Sequence, residues 1–288
     1  MTSQAKINVK TRRVKVAIVG GGFGGMCMAI KLREAGIDDF LLLEKGSGIG
    51  GTWYHNSYPG AACDVQSHMY SFSFEGNPEW SHRYSGQQEI HNYIQGVSDK
   101  HALRQYTRFN AEVTGARFDD RAALWTLDLA DGSQVICQHW VLASGPLHVP
   151  SFPNFKGMDT FKGKIIHSAQ WDHDYDMAGK KVVSIGTGAS AIQIVPEIVK
   201  DVAGLQLYQR TPAWVMPRPN NPIPEGMQRM FANVPGTRAA MRAGIYWIHE
   251  AVGFAMTKQP RLLKLGELMG KWNIRRSIKD RELRRKLT

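Results

Sequence analysis

Cysteine is scarce in this chain. Its 288 residues include three, Cys27, Cys63 and Cys137, which are far apart, odd in number and form no C-x-x-C pair. That pattern excludes the disulfide framework of a small secreted domain and the paired thiols of a dithiol redox enzyme. Long apolar runs are also lacking. No apolar stretch follows the basic N-terminus at signal-peptide spacing. The most apolar late segment, Ala239 to Met256, is interrupted by Arg242, His249 and Glu250, which argues for an interior helix rather than a membrane span. A soluble, cytoplasmic protein is expected. Acidic residues are few beside basic ones, 25 against 36, for a net charge of +11. The excess sits at the two ends: residues 1–15 carry five Lys or Arg and no acid, and residues 271–288 carry eight against Asp280 and Glu282. Nucleic-acid readers usually interleave basic residues with aromatics on a folded module, whereas charged ends are usually solvated tails. No nucleic-acid, metal or membrane partner is therefore expected.

What is present is ordinary globular composition, 43% hydrophobic and 21% charged, enough for one large domain or two smaller ones. Residues 14–19 read as a buried strand, followed by a run of glycines and an apolar-periodic helix from Met26 to Ala35 that Gly36 closes. Phe40 to Leu43 is a second strand, ending at Glu44, so a β-α-β unit opens the chain. Residues 46–78 form a long irregular stretch, and such loops inside a compact fold are usually functional. Gln87 to His101 reads as a helix. Arg108 to Val113, Trp125 to Leu129, Gln134 to Ile136 and Trp140 to Ala143 read as short strands, with Asp131-Gly132 as a hairpin turn. The pattern then restarts with strand Lys181–Ile185, a Gly-rich turn, helix Ser190–Val199 and strand Leu205–Gln209. Residues 211–224 hold five prolines and mark a boundary. From about Glu225 the sequence reads as helical, with breaks at Pro235-Gly236 and Pro260.

Each β-α-β unit carries a dinucleotide fingerprint. Gly20-Gly21-Gly22-Phe23-Gly24-Gly25 satisfies G-x-G-x-x-G. Gly20 permits the tight turn, Gly22 lets backbone approach a pyrophosphate, and Gly25 lets helix pack on strand. The helix N-terminus supplies amides and a positive dipole end to phosphates. Glu44, at the end of the next strand, can accept hydrogen bonds from ribose hydroxyls. The second fingerprint, Gly186-Thr187-Gly188-Ala189-Ser190-Ala191, has alanine in third place, and Arg210-Thr211 follows its next strand. An arginine there can pair with a ribose 2′-phosphate. The first site thus favours a cofactor with a free 2′-hydroxyl, such as FAD or NAD, and the second favours NADP. Two such sites in one chain suggest a flavin reduced by a nicotinamide.

These residues closely resemble the flavin-containing monooxygenases, specifically the type I Baeyer–Villiger branch. The stretch Phe161-Lys162-Gly163-Lys164-Ile165-Ile166-His167-Ser168-Ala169-Gln170-Trp171-Asp172 matches the family signature F-x-G-x-x-x-H-x-x-x-W followed by Pro or Asp. It lies between the two nucleotide motifs, as in the family. Trp171-Asp172 favours that branch over the N- and S-oxygenating relatives. Gly50-Gly51-Thr52-Trp53, Tyr58-Pro59-Gly60, Cys63-Asp64 and Tyr70-Ser71-Phe72-Ser73-Phe74 are similar to the family's flavin-contacting loop. Ala143-Ser144-Gly145 resembles the segment closing its first FAD lobe, and Gln209-Arg210-Thr211-Pro212 its NADP-phosphate segment.

The resemblance implies an α/β fold with two Rossmann-like domains plus a helical insertion. Residues 1–150 would form the FAD-binding domain, 151–221 the first part of the NADP-binding domain with a linker over 151–178, and 222–288 the insertion. It implies FAD held by Gly20, Gly22, Gly25, Glu44, Thr52, Trp53, Asp64, Tyr70 and Val113. NADPH would be held by Gly186, Thr187, Gly188, Ser190, Ala191, Gln193, Arg210 and Thr211. Phe161, Gly163, His167 and Trp171 would belong to an interdomain hinge, and Asp64 would be the active-site aspartate. The implied reaction inserts one oxygen of O2 into a ketone through a C4a-peroxyflavin, giving an ester or lactone. The alternatives are an N- or S-oxygenating enzyme and an inactive nucleotide-binding fragment. Family chains are longer. The expectation is that the C-terminal completion of both lobes is missing here, leaving apolar faces exposed and the chain a poor catalyst. The family's catalytic arginine is expected beyond residue 288, with no residue of this chain assigned its role.

Overall fold

The computed structural model describes residues 10–211 and 216–287; Pro212 and Lys6 lie outside them. Its contacts divide the chain into two units. The first runs to Ser57 and resumes over Ile90–Trp171, and the second comprises Tyr58–Glu89 and everything from Asp172 onward.

The first unit is built on β1 (Thr11–Val19), α1 (Phe23–Glu34) and β2 (Phe40–Leu43). It continues with α2 (Thr52–His55), most of α3 (Gln87–Lys100), β3 (Thr107–Arg108), β4 (Val113–Asp119), β5 (Leu124–Leu129) and β6 (Gln134–Leu142). Its six strands stand in the order β3-β2-β1-β6-β5-β4. The first four are parallel, and β5 runs antiparallel to both β6 and β4. All four residues of β2 are buried, the continuous apolar run expected of a parallel strand covered on both faces. In α1 the buried residues Gly25, Met26, Ala29 and Ile30 fall on one helical face. Gly36, at φ +74°, follows the helix end, where a left-handed residue terminates the turn. Val14, Ala17, Leu41, Leu43, Leu127, Val135 and Cys137 share one buried cluster, so the β-α-β unit and the antiparallel strands have a common core.

The second unit contains the loop Tyr58–Glu89, then β7 (Lys181–Ile185), α4 (Ala189–Ile198) and β8 (Gly204–Tyr208). Helices α5 (Glu225–Asn233), α6 (Thr237–Thr257), α7 (Leu263–Ser277) and α8 (Arg281–Lys286) complete it. β7 and β8 form a two-stranded parallel sheet. Apolar faces were expected to be exposed, and here they are: Val183, Ile185, Leu207 and Tyr208 on the strands and Ile192 on α4 are all open. The loop is anchored by the helices. Arg242 Nη1 of α6 donates to the carbonyls of His68, Met69 and Ser71 at 3.0–3.1 Å, and the His68 ring meets the buried Phe231 of α5 edge-on at 4.5 Å. Among the described residues, no helix is long and apolar enough to cross a membrane.

Three expectations need correction. Arg108 to Val113 is not one strand. Asn110 takes a left-handed backbone at φ +51°, and the amides of Asn110 and Ala111 donate to the carbonyls of Gly46 and Glu44. The chain therefore bends around Glu44 between β3 and β4. Gln134–Ile136 and Trp140–Ala143 are not separate strands but one, β6, because its polar middle pairs in register with β1 (Cys137 with Val14, His139 with Val16). The irregular stretch 46–78 contains the short helix α2.

The difference in packing between the two sheets has a measurable consequence. Ile18 is fully buried, whereas Ile185 is 61% exposed. Ile18→Ala is expected to destabilise the chain by about 2–5 kcal/mol, and Ile185→Ala by less than about 0.5 kcal/mol. Urea denaturation of the two variants beside the parent tests the contrast; equal losses would show that the second sheet is as well packed as the first.

Candidate functional site

At the end of β1 the backbone turns sharply. Gly20 sits at φ +110°, and a Cβ there would stand 2.4 Å from the carbonyl oxygen of Ala143. A Cβ at Gly25 would stand 1.8 Å from the carbonyl oxygen of Gly20, so only hydrogen fits where α1 starts against the strand end. Gly22 caps α1 with no side-chain hydrogen bond, and the first turn carries no acid. That helix end presents amides and the positive end of its dipole without a competing carboxylate. A second glycine turn packs onto the first. The Gly50 amide donates to the Gly21 carbonyl at 3.0 Å, and a Cβ at Gly51 would stand 2.8 Å from the Gly22 Cα. Thr52 and Trp53 follow at once in α2, with Trp53 buried. From α3, Gln95 Nε2 holds this turn by donating to the Ile49 carbonyl at 2.6 Å. Val113, at the start of β4, packs on the core cluster.

Glu44 closes the arrangement. It is 5% exposed and accepts from the Gly21 amide at 2.6 Å through Oε2 and from the Gly46 amide at 2.7 Å through Oε1. His55 Nε2 lies 3.9 Å from Oε1. Burial raises its pKa, but His55 and the Gly46 and Gly21 amides together outweigh that and hold the carboxyl below its ordinary value. An ionised carboxylate has about four acceptor sites, so Glu44 retains capacity for hydroxyl donors. The glycine cradle and this carboxylate fit a dinucleotide with free ribose hydroxyls. Gly20, Gly22 and Gly25 lie at the turn between β1 and α1 and Glu44 just after β2; the Gly21 and Gly46 amides as partners of Glu44 were not foreseen.

The second turn repeats the plan in the other unit. The Gly20 amide donates to the Leu43 carbonyl at 2.8 Å, and the Gly186 amide to the Tyr208 carbonyl at 2.9 Å. Val19 pairs with Leu43 and Ile185 with Tyr208. By that register Gln209, not Arg210, occupies the position of Glu44, and Arg210 comes one residue later. The counterpart of the carboxylate is thus a neutral amide, followed by an exposed guanidinium that has no ion-pair partner among the described residues. Thr211 follows it, also exposed. Thr187 lies in the turn. Gly188 caps α4 without a side-chain hydrogen bond, and Ser190 and Ala191 stand in its first turn. A Cβ at Gly186 or Gly188 would meet nothing within 4 Å; Gly186 needs glycine only for its φ of +103°. The residues fit a nucleotide whose ribose carries a negative group. Gln193, expected at NADP, turns its side chain to the loop instead: it accepts from the Tyr58 hydroxyl at 3.0 Å and donates to the Ala62 carbonyl at 3.0 Å.

Asp64 and Tyr70 belong to the second unit. Asp64 is exposed, and its Oδ1 accepts from Arg218 Nη1 at 2.9 Å. The same nitrogen donates to the Cys63 carbonyl at 3.2 Å. The sequence reading gave Asp64 no cationic partner in this chain; a 154-residue separation leaves no local signal for one. Burial pushes the Cys63 thiol up to about 11, which keeps it a neutral packing group at neutral pH. In the signature stretch, His167 Nδ1 accepts from the Ala169 amide at 3.1 Å, so the neutral ring carries its proton on Nε2. A Cβ at Gly163 would strike the Phe161 ring at 2.5 Å. The chain passes from one unit to the other at Trp171–Asp172.

Comparison with known proteins points the same way. The pyridine nucleotide-disulphide oxidoreductase family matches residues 17–234. A Baeyer–Villiger monooxygenase of Pseudomonas aeruginosa is 48% identical over 277 residues, 96% of this chain and 53% of that protein. One from Streptomyces coelicolor is 48% identical over 276 residues, with the same coverage of 96% and 53%. The chain thus spans about half the length of these curated relatives. Among solved structures, an oxidised steroid monooxygenase bound to NADP aligns with 96% of this chain and 60% of its own, at a TM-score of 0.81 and 31% identity. A closed cyclohexanone monooxygenase aligns with 78% of this chain and 43% of its own, at 0.72 and 36%.

The geometry of Glu44 fixes how stability should respond to acid. Its folded pKa lies below its ordinary 4.5, so its contribution is present above the unfolded value and is lost as pH falls through the folded one. The gap in melting temperature between the parent and Glu44→Gln should be constant from neutral pH to about 5 and shrink below that. A gap that grows on acidification would refute the assignment.

Proposed function

From the chain's membership of the pyridine nucleotide-disulphide oxidoreductase family, and its likeness along 96% of its length to Baeyer–Villiger monooxygenases, we propose that it is the nucleotide-holding part of an FAD- and NADPH-dependent monooxygenase acting on ketones. The observation that carries this is the pairing of two glycine turns of opposite selectivity, one sealed by Glu44 and the other followed by Gln209-Arg210. Bound FAD supplies electron transfer from NADPH and the activation of O2.

The chain's own residues bind and orient. Gly20, Gly22 and Gly25 admit the pyrophosphate to backbone amides at the start of α1, and Glu44 accepts from the ribose. Thr52, Trp53, Asp64, Tyr70 and Val113 are the further flavin contacts. Gly186, Thr187, Gly188, Ser190 and Ala191 form the NADPH turn, Gln193 stands behind them on α4 with its side chain on the loop, and Arg210 with Thr211 takes the 2′-phosphate. Asp64 is the carboxylate at the reacting centre. Phe161, Gly163, His167 and Trp171 form the hinge, in keeping with the passage of the chain between units at Trp171–Asp172. The family's name includes disulphide chemistry; in this chain Cys27, Cys63 and Cys137 are all free thiols.

The decisive experiment is to purify the chain, record its visible spectrum, and add NADPH in air with a simple cyclic ketone. A flavin spectrum that bleaches with NADPH and yields lactone supports the proposal. A flavin that bleaches while amines, not ketones, are oxygenated moves it to the N-oxygenating relatives, and a colourless protein refutes it for this chain. Cofactor choice gives a second test. Arg210→Ala should raise KM for NADPH by about tenfold or more, since hydrogen bonds to charged groups contribute about 1.5–3 kcal/mol, and leave KM for NADH unchanged. Equal effects on both cofactors would remove Arg210 from the phosphate.

A further inference from the structure

Exposed ion pairs generally contribute little, because both side chains must be held still against water. The Arg218–Asp64 pair differs in that both partners are held by the fold. Asp64 follows the buried Cys63, whose amide donates to the Ser85 carbonyl at 3.1 Å. Arg218 lies between Pro217 and Pro219. Pro217 has a fixed φ, and Pro219 restricts the arginine itself to extended conformations.

The strand-like strap that follows is fastened along residues 81–84. The Arg83 amide donates to the Asn221 carbonyl at 3.1 Å, and the Ile223 amide to the Ser81 carbonyl at 2.8 Å. The Tyr84 amide donates to Asn220 Oδ1 at 3.0 Å. The guanidinium carbon stands 5.3 Å from the centroid of the Tyr84 ring, within reach of a cation–π attraction. One guanidinium thus meets the Asp64 carboxylate, the Cys63 carbonyl and an aromatic face. A planar fork with fixed donors can satisfy such a set, and an ammonium satisfies it less well.

We propose that Arg218 is the positioning residue of Asp64: it neutralises the carboxylate and sets its orientation, and the proline-flanked strap sets Arg218. This rests on the reading of Asp64 as the carboxylate at the flavin centre. It gives this chain an aspartate–arginine pair of its own, made by a residue just after the second β-α-β unit.

Two measurements on the purified chain test it. The first is steady-state NADPH oxidation with FAD bound. Arg218→Met should lower kcat about tenfold or more, as misplacement of a reacting group does, with KM for NADPH unchanged, and Arg218→Lys should recover a large part of the loss. The second needs no cofactor: melting temperatures of Arg218→Met, Asp64→Asn and the double variant. Non-additive losses, the double variant falling no further than the worse single one, are expected for a coupled pair. A lysine variant no better than methionine, KM moving together with kcat, or additive thermal losses would overturn the proposal. A parent chain that holds no FAD refutes the flavoprotein reading instead. Arg218 is then judged by the thermal cycle alone, where additivity sinks the pair and non-additivity sustains it.

Discussion

The first unit depends on backbone meeting backbone at the ends of β1 and β2, with one buried carboxylate between them. Gly20 lies under the Ala143 carbonyl, Gly25 under the Gly20 carbonyl, and Gly51 against Gly22. No side chain fits at these contacts, so their stability comes from hydrogen bonds and from the strands and helices that press them together. Glu44 supplies the bonds that the turns cannot make for themselves. Its oxygens bind the amides of Gly21 and Gly46, and its own backbone binds Arg108 and Ala111. A buried charge is expensive unless it is hydrogen-bonded, and here the bonds that offset the cost also tie the glycine turn after β1 to the end of β2.

The second unit has the same turn with a different degree of closure. The strand-end hydrogen bond and register are repeated, but open space surrounds Gly186 and Gly188, and Ile185 and Tyr208 face outward. A turn of this kind is specified by backbone conformation alone, without neighbours that forbid alternatives. On the proposed reading, its selectivity rests on charge. Gln209 in place of a carboxylate removes the repulsion that a 2′-phosphate would meet, and Arg210 adds attraction.

Much of this was legible in the sequence because it is local. The boundaries of β2 and β7 follow from short apolar runs ended by Glu44 and by glycine. Both turns follow from glycine spacing, and α1 follows from its apolar period. What failed was also local in appearance but tertiary in cause. The bend at Asn110 exists because residues 110 and 111 wrap around Glu44, and β6 is continuous because β1 pairs on both sides of its polar middle. Placing Gln209, not Arg210, at the position of Glu44 required a register that only strand pairing supplies.

The loop Tyr58–Glu89 shows most clearly where sequence reading ends. It carries Asp64 and Tyr70, and it has little regular structure of its own. The shape of its first half, Tyr58 to Ser71, is imposed from three distant places. Gln193 on α4 binds the turn at Tyr58–Ala62, Arg218 binds Cys63 and Asp64, and Arg242 on α6 gathers three carbonyls between His68 and Ser71. One nitrogen carries two protons, so those three carbonyls share them, and the loop is drawn around that point. Each of the three anchors is a single polar side chain with long reach, separated by over a hundred residues from what it holds. Apolar periodicity and glycine spacing carry no trace of such contacts. The helices after residue 224 therefore do more than add bulk: through Arg242 and Phe231 they help set the conformation of the loop that presents Asp64.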